Sequence, residues 1–156
     1  MACPAPQTSE PYSFCLHVVP DPLSVRAALE EFDQWLGGHN VDADGRGTTQ
    51  IVLAEILNNI VEHGQLSSHQ GISTSISLIS DGVFCKVKDE APTFRALETP
   101  AVNADGMCGA SIQLAEGGYG VFLVQSLARN IRYCEVERGN HLEFVIPLVS
   151  KFEQIY

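Results

Sequence analysis

The sequence predicts an α+β fold: a two-layer α/β sandwich whose mixed, mostly antiparallel sheet carries its helices on one face. Two observations carry that prediction. Two β-rich runs, 72–79 and 83–88, flank Ser80-Asp81-Gly82, and two more, 131–137 and 142–149, flank Arg138-Gly139-Asn140-His141. Each pair reads as a hairpin, and hairpins force antiparallel pairing. The other observation is the order of elements, β α α β β, a long loop, then α β β. That order does not alternate strand and helix, so it excludes a doubly wound nucleotide fold.

The elements follow in chain order. Residues 13–19 read as a strand stopped by Pro20-Asp21-Pro22. A helix over about 23–36 has Asp21 or Ser24 near its start and Gly37-Gly38 closing it. Asn40, Asp42, Asp44 and Gly45 predict a loop over 39–47, and Thr48 or Thr49 then caps a second helix over about 50–63. The loop 64–71 leads into the first hairpin. Residues 89–113 hold Pro92, Pro100, Gly106 and Gly109 with little periodicity; a connection that long suits a lid or binding loop. A third helix spans 119–128, and the second hairpin ends the domain. The organisation expected is a flexible tail over 1–12, one domain over 13–150 and a C-terminal tail over 151–156; a chain of 156 residues suits a single core.

Composition narrows the function. A hydrophobic fraction of 45% is ordinary for a globular protein. No apolar run approaches the roughly 20 residues that cross a bilayer. The N-terminal segment has neither the basic end nor the apolar centre of an export signal. A net charge of −10, with nine scattered Lys and Arg, argues against nucleic acid. The five cysteines are widely spaced without a C-x-x-C pair, which is neither a disulfide framework nor a zinc site. Cys15, Cys85 and Cys134 read as small apolar strand residues, and a reducing cytoplasm is expected.

The chemistry concentrates in the second helix. At roughly 100° per residue, Glu55, Asn58, Asn59 and Glu62 share one side, while Leu53, Ile56, Leu57, Ile60 and Val61 fill the other. A carboxylate one turn before an amide suits a magnesium-nucleotide site, where one residue binds metal and the other accepts a proton. Downstream, Gly117-Gly118-Tyr119-Gly120-Val121 is a glycine turn opening a helix, a cradle for phosphates. Together these point to ATP. The pattern G-x-x-x-x-G-K-[ST] is absent, so no standard P-loop is present. Asp42-Ala-Asp44-Gly45 resembles the start of a calcium loop, but its twelfth position falls on Leu53. His63 and His69 show no ordered ligand spacing, and Gly109 to Gln113 fails the nucleophile-elbow pattern.

Glu55, Asn59, His63 and Gly64, spaced as E-x-x-x-N-x-x-x-H-G, resemble the asparagine box of GHKL-type ATPases. Val87-Lys88-Asp89-Glu90-Ala91-Pro92 resembles their adenine-binding aspartate box, and Gly117 to Gly120 their later glycine box. The closing Tyr133…Gly139-Asn140-His141-Leu142-Glu143-Phe144 resembles one branch, the bacterial anti-sigma factors that are serine-protein kinases. The resemblance covers about 50–147 and implies a Bergerat-type ATP-binding fold. It implies that Glu55 is the general base, that Asn59 ligates Mg²⁺, and that Asp89 accepts from the adenine amino group. Backbone amides of Gly118, Tyr119, Gly120 and Val121 would hold the phosphates. His63 either caps its helix or sits beside the nucleotide, and Glu62 reads as a solvated acid. Arg95 is the one lid candidate for the γ-phosphate. The partners implied are an anti-anti-sigma factor (a small protein phosphorylated on serine), a sigma factor or analogous regulator, and a second copy of the chain as homodimer. Two departures stand out: Ala91 replaces the usual glycine, and Arg95 an often acidic residue. Ala91 is the best support for the alternative, a non-catalytic GHKL-like partner-binding module that holds nucleotide without phosphoryl transfer, and the retention of Glu55 and Asn59 is the best objection to it. A sensor histidine kinase is disfavoured, because residues before 50 supply no phospho-accepting helical hairpin.

Overall fold

Alternating burial along Ile72–Ile79 (β2) and Gly82–Asp89 (β3) sends Ile72, Thr74, Ile76, Val83, Cys85 and Val87 to one face, and these two strands sit inside a five-stranded sheet. A computed structural model describes residues 12–91, 97–98, 113–114 and 119–149. The expected tails, Tyr12 aside, fall outside the described residues.

The remaining sheet strands are Ser13–Val18 (β1), Arg129–Val136 (β6) and Gly139–Pro147 (β7), and the order across the sheet is β1-β2-β3-β7-β6. Every pairing is antiparallel. Within the long 89–113 stretch and just after it, Leu97–Glu98 (β4) pairs with Gln113–Leu114 (β5), a short ribbon the sequence did not announce. Register matters more than order: Asp89 ends β3 opposite Ile72 on one side and Asn140 on the other.

Three helices, Pro22–Gly38 (α1), Ala43–His63 (α2) and Tyr119–Leu127 (α3), cover the apolar face. In α1, Asp21 Oδ1 accepts from the N–H groups of Leu23 and Ser24 at 2.9 and 3.1 Å, with Pro22 in the first turn. Val25, Ala28, Phe32 and Leu36 are buried at helical spacing. Phe14 of β1 meets Phe32 edge-on and stacks on Trp35, which holds α1 to the sheet edge. α1 and α2 are cross-tied by Gln50 Nε2 donating to Leu29 O at 2.6 Å and by the Arg46–Asp33 ion pair.

α2 begins earlier than its sequence predicts. Asp42 is the cap, its Oδ1 accepting from Gly45 N–H at 2.8 Å. Thr48 and Thr49 are interior residues whose hydroxyls donate back to Asp44 O and Gly45 O. The residues that looked like a loop form the first turn of this helix because Gly45 packs against Leu148 and Val41: a Cβ added there would stand 2.6 Å from Leu148 Cδ2. Cys85 is a buried free thiol. Cys134 is disulfide-bonded, with its partner outside the described residues, which corrects its reading as a plain apolar residue. Among the described residues no helix is long and apolar enough to cross a membrane.

Candidate functional site

The buried stripe of α2, Leu53, Ile56, Leu57 and Ile60, fixes the rotation of the helix on the sheet. That rotation leaves Glu55 and Asn59 half-buried on one side and Asn58 and Glu62 exposed beside them. Glu55 points at the start of α3. A Cβ added to Gly120 would lie 2.2 Å from Glu55 Oε2 and 3.1 Å from its Cδ, so only glycine lets the carboxylate come this close. Two separate sequence signals, the acid of α2 and the glycine turn, therefore meet in space. Asn59 stands one turn further along the same helix.

A second cluster lies where β3 ends. Asp89 is 6% exposed and Asn140 2%. Asp89 Oδ1 accepts from Ala91 N–H at 2.8 Å and from Asn140 Nδ2 at 2.9 Å. Asn140 Nδ2 also donates to Ala91 O at 3.3 Å, and Asn140 Oδ1 accepts from the Tyr133 hydroxyl at 2.5 Å. Asp89 Oδ2 makes no hydrogen bond among the described residues. Burial pushes the Asp89 carboxyl above its ordinary value, while the bonds from Asn140 and Ala91 and the His141 charge pull it back. Burial likewise raises the Tyr133 phenol, helped by the charges of Glu135 and Asp89, so it stays a donor. The last hairpin closes directly on this cluster. Gly139 has φ +120°, and a Cβ there would meet Asp89 O at 1.8 Å.

These positions fall inside one recognisable sequence family: the histidine kinase-like ATPase domain matches residues 18–146. The chain belongs to that family. Membership of an ATPase family implies a nucleotide ligand, as the paired clusters had suggested. The fold is similar to that of the RsbU and RsbW domains of Rv1364c from Mycobacterium tuberculosis, with a TM-score of 0.60 and 18% identity over 86% of this chain. This chain covers 32% of that longer one. No curated protein matches it in sequence.

Within this ATPase fold the expected site residues divide plainly. Glu55 and Gly120 are brought together, and Asp89 is buried in a built network. Tyr119 and Gly120 open α3, and Val121 in its first turn is buried in the core, leaving its backbone to the helix N-terminus. His63 is exposed at the last turn of α2, its Nε2 3.7 Å from Glu62 Oε2. Arg95 and Gly118 lie outside the described residues. Ala91 is buried, and its methyl faces the α2 cap: a Cβ added to Gly64 would stand 3.5 Å from it. Sequence reasoning assigned no role to Asn140 or Tyr133. Their proximity to Asp89 comes from strand register, for which the only sequence signal was the Gly139 turn.

The residues present fit a nucleotide: Asp89 offers a buried acceptor, and the first turn of α3 has no side chain at Gly120 to obstruct phosphates. Among the described residues no cluster of His, Cys, Asp or Glu marks a metal site, so a metal would rest on the half-buried Asn59 amide and the nucleotide's own phosphates.

Proposed function

We propose that the protein is an ATP-binding anti-sigma regulatory factor with serine-protein kinase activity, which phosphorylates an anti-anti-sigma partner and sequesters a sigma factor or similar regulator. The observation that carries this is the approach of the Glu55 carboxylate to Gly120, which puts a proton acceptor beside the proposed phosphate cradle. Asp89 Oδ2 would accept from the adenine amino group, orienting the base. Asn59 would supply an oxygen to Mg²⁺, which when bound offsets phosphate charge. Glu55 would take the proton from a serine hydroxyl of the partner. Phosphoryl transfer asks mainly for positioning and electrostatics, and a helix anchored by five buried aliphatic residues, Val52, Leu53, Ile56, Leu57 and Ile60, supplies the positioning. The acidic chain, at −10, leaves neutralisation of the phosphates to metal and backbone N–H groups rather than to lysines. A homodimer belongs to the same reading.

The test mixes the protein with γ-labelled ATP, Mg²⁺ and a candidate anti-anti-sigma protein. Wild type should label a serine of the partner. Glu55→Gln should keep nucleotide binding while transfer falls by about 10²–10⁴-fold, the usual worth of a general base. Asn59→Ala should weaken binding only when Mg²⁺ is present. ATP binding without transfer to any such serine protein would favour the sequestering module; no ATP binding would overturn both.

A further inference from the structure

We propose that Tyr133 and Asn140 form a relay that fixes Asp89 as a pure hydrogen-bond acceptor and so makes the site select a 6-aminopurine over a 6-oxopurine. The inference rests on the nucleotide reading above and adds two positioning residues and a specificity to it.

The relay has one self-consistent orientation. An amide offers an acceptor at one end and two donors at the other. Tyr133 O–H donates to Asn140 Oδ1, so Nδ2 must face Asp89 Oδ1 and Ala91 O, both acceptors. Flipping the amide would set its oxygen against those two acceptors, while the phenol, which can accept as well as donate, would not oppose the flip. Tyr133 is 5% exposed and Asn140 2%, so water does not rescue either arrangement. The two acceptors set the orientation of the amide, and the Tyr133 hydroxyl satisfies the buried oxygen that this orientation leaves, so the bond to Asp89 is made without an unpaired polar atom behind it.

The consequence for Asp89 is electrical as well as geometric. Its burial favours the protonated acid, which would donate and so accept a 6-oxo group. Two N–H donors on Oδ1, from Ala91 and Asn140, favour the carboxylate instead. Little else does. In β2 the residue opposite is apolar Ile72. On β7 the following His141 contributes charge only when protonated, and burial with Lys88 and Lys86 lowers its proton affinity. Among the described residues the other titratable neighbours are Tyr133 itself, a neutral phenol, and Glu90, the next residue in the chain. With Oδ1 occupied, Oδ2 is the atom left to meet the base. An ionised oxygen there accepts from an exocyclic amino group and repels a carbonyl.

The experiment compares binding of Mg-ADP and Mg-IDP, whose bases differ at position 6, by calorimetry between pH 5 and 8. Wild type should prefer ADP by at least about 10²-fold, because a site built to bond one polar group rejects its replacement. Tyr133→Phe, which keeps the ring in the core, should lower that ratio roughly tenfold, the scale of one net hydrogen bond. Its ADP binding should also fail at a higher pH than wild type's, since the carboxylate has lost support. Asn140→Ser carries the same expectation and stands in should the phenylalanine variant not fold. A folded variant with unchanged ratio and pH profile overturns the relay while leaving nucleotide binding intact. Wild type that binds neither nucleotide overturns the underlying reading and the relay with it.

Discussion

The Glu55 carboxylate rests on the bare Cα of Gly120, so closely that a methyl group there would come within 2.2 Å of Oε2. The acid is the flexible partner, and it is the one that must yield. Gly120→Ala should therefore leave the fold intact and move the proposed base. We expect kinase activity to fall by about 10²-fold, the effect of an ångström-scale misplacement. Thermal unfolding should be little changed, and nucleotide affinity only modestly lowered. Equal loss of activity and of thermal stability would mean that the contact is structural.

Asp89 should weigh against stability at neutral pH. Its folded-state pKa is raised by burial. Between the ordinary carboxylate value and that raised value, the native protein keeps a proton that the unfolded chain has released. This group's contribution is therefore complete below the unfolded pKa and is lost as pH rises through the folded one. Asp89→Asn keeps an oxygen for Ala91 and Asn140 but removes the buried charge. Urea unfolding at pH 7 should show it within about 1 kcal/mol of wild type or more stable. Its margin over wild type should shrink as pH falls, while Mg-ADP binding is lost throughout.

Gly139→Ala should be among the most damaging single changes. Its φ of +120° disfavours a side chain, and the methyl would strike the Asp89 carbonyl, which is backbone and cannot swing aside. Strain of this kind costs about 1–3 kcal/mol before the clash is counted. Denaturant unfolding should show at least that loss, and nucleotide binding should weaken with it because the Asp89 strand end is displaced.

The start of α2 offers a test of a local feature. Asp42→Ala removes the oxygen that caps Gly45 N–H and should lower stability by about 1 kcal/mol. Thr48→Ala should change stability far less, since its hydroxyl donates to the carbonyl one turn back rather than capping.

That helix shows how far the sequence carries. The buried face of α2 and the placement of Glu55, Asn59 and Glu62 on its other side were legible because periodicity records which side faces the core. Its true start was not. Gly45 and Gly47 resemble loop residues until Leu148, from the far end of the chain, is found packed on Gly45. Both hairpins were legible from their turns, and with them the antiparallel sheet. What hairpins do not give is which of them lie side by side, so the meeting of β3 with β7 stayed hidden. The Asp89–Asn140 bond and the Tyr133 hydroxyl behind it depend on that pairing. The acid of α2 and the glycine turn were read from the residues as parts of one ATP site; the geometry adds what the sequence did not give, that Gly120 leaves the Glu55 carboxylate its room.

A structure determined with Mg-ADP bound tests the central claim most directly. The account predicts the adenine amino group on Asp89 Oδ2 and the phosphates at the first turn of α3, with Asn59 facing the metal. A nucleotide seated away from Asp89, or with phosphates remote from Gly120 and Glu55, would contradict it.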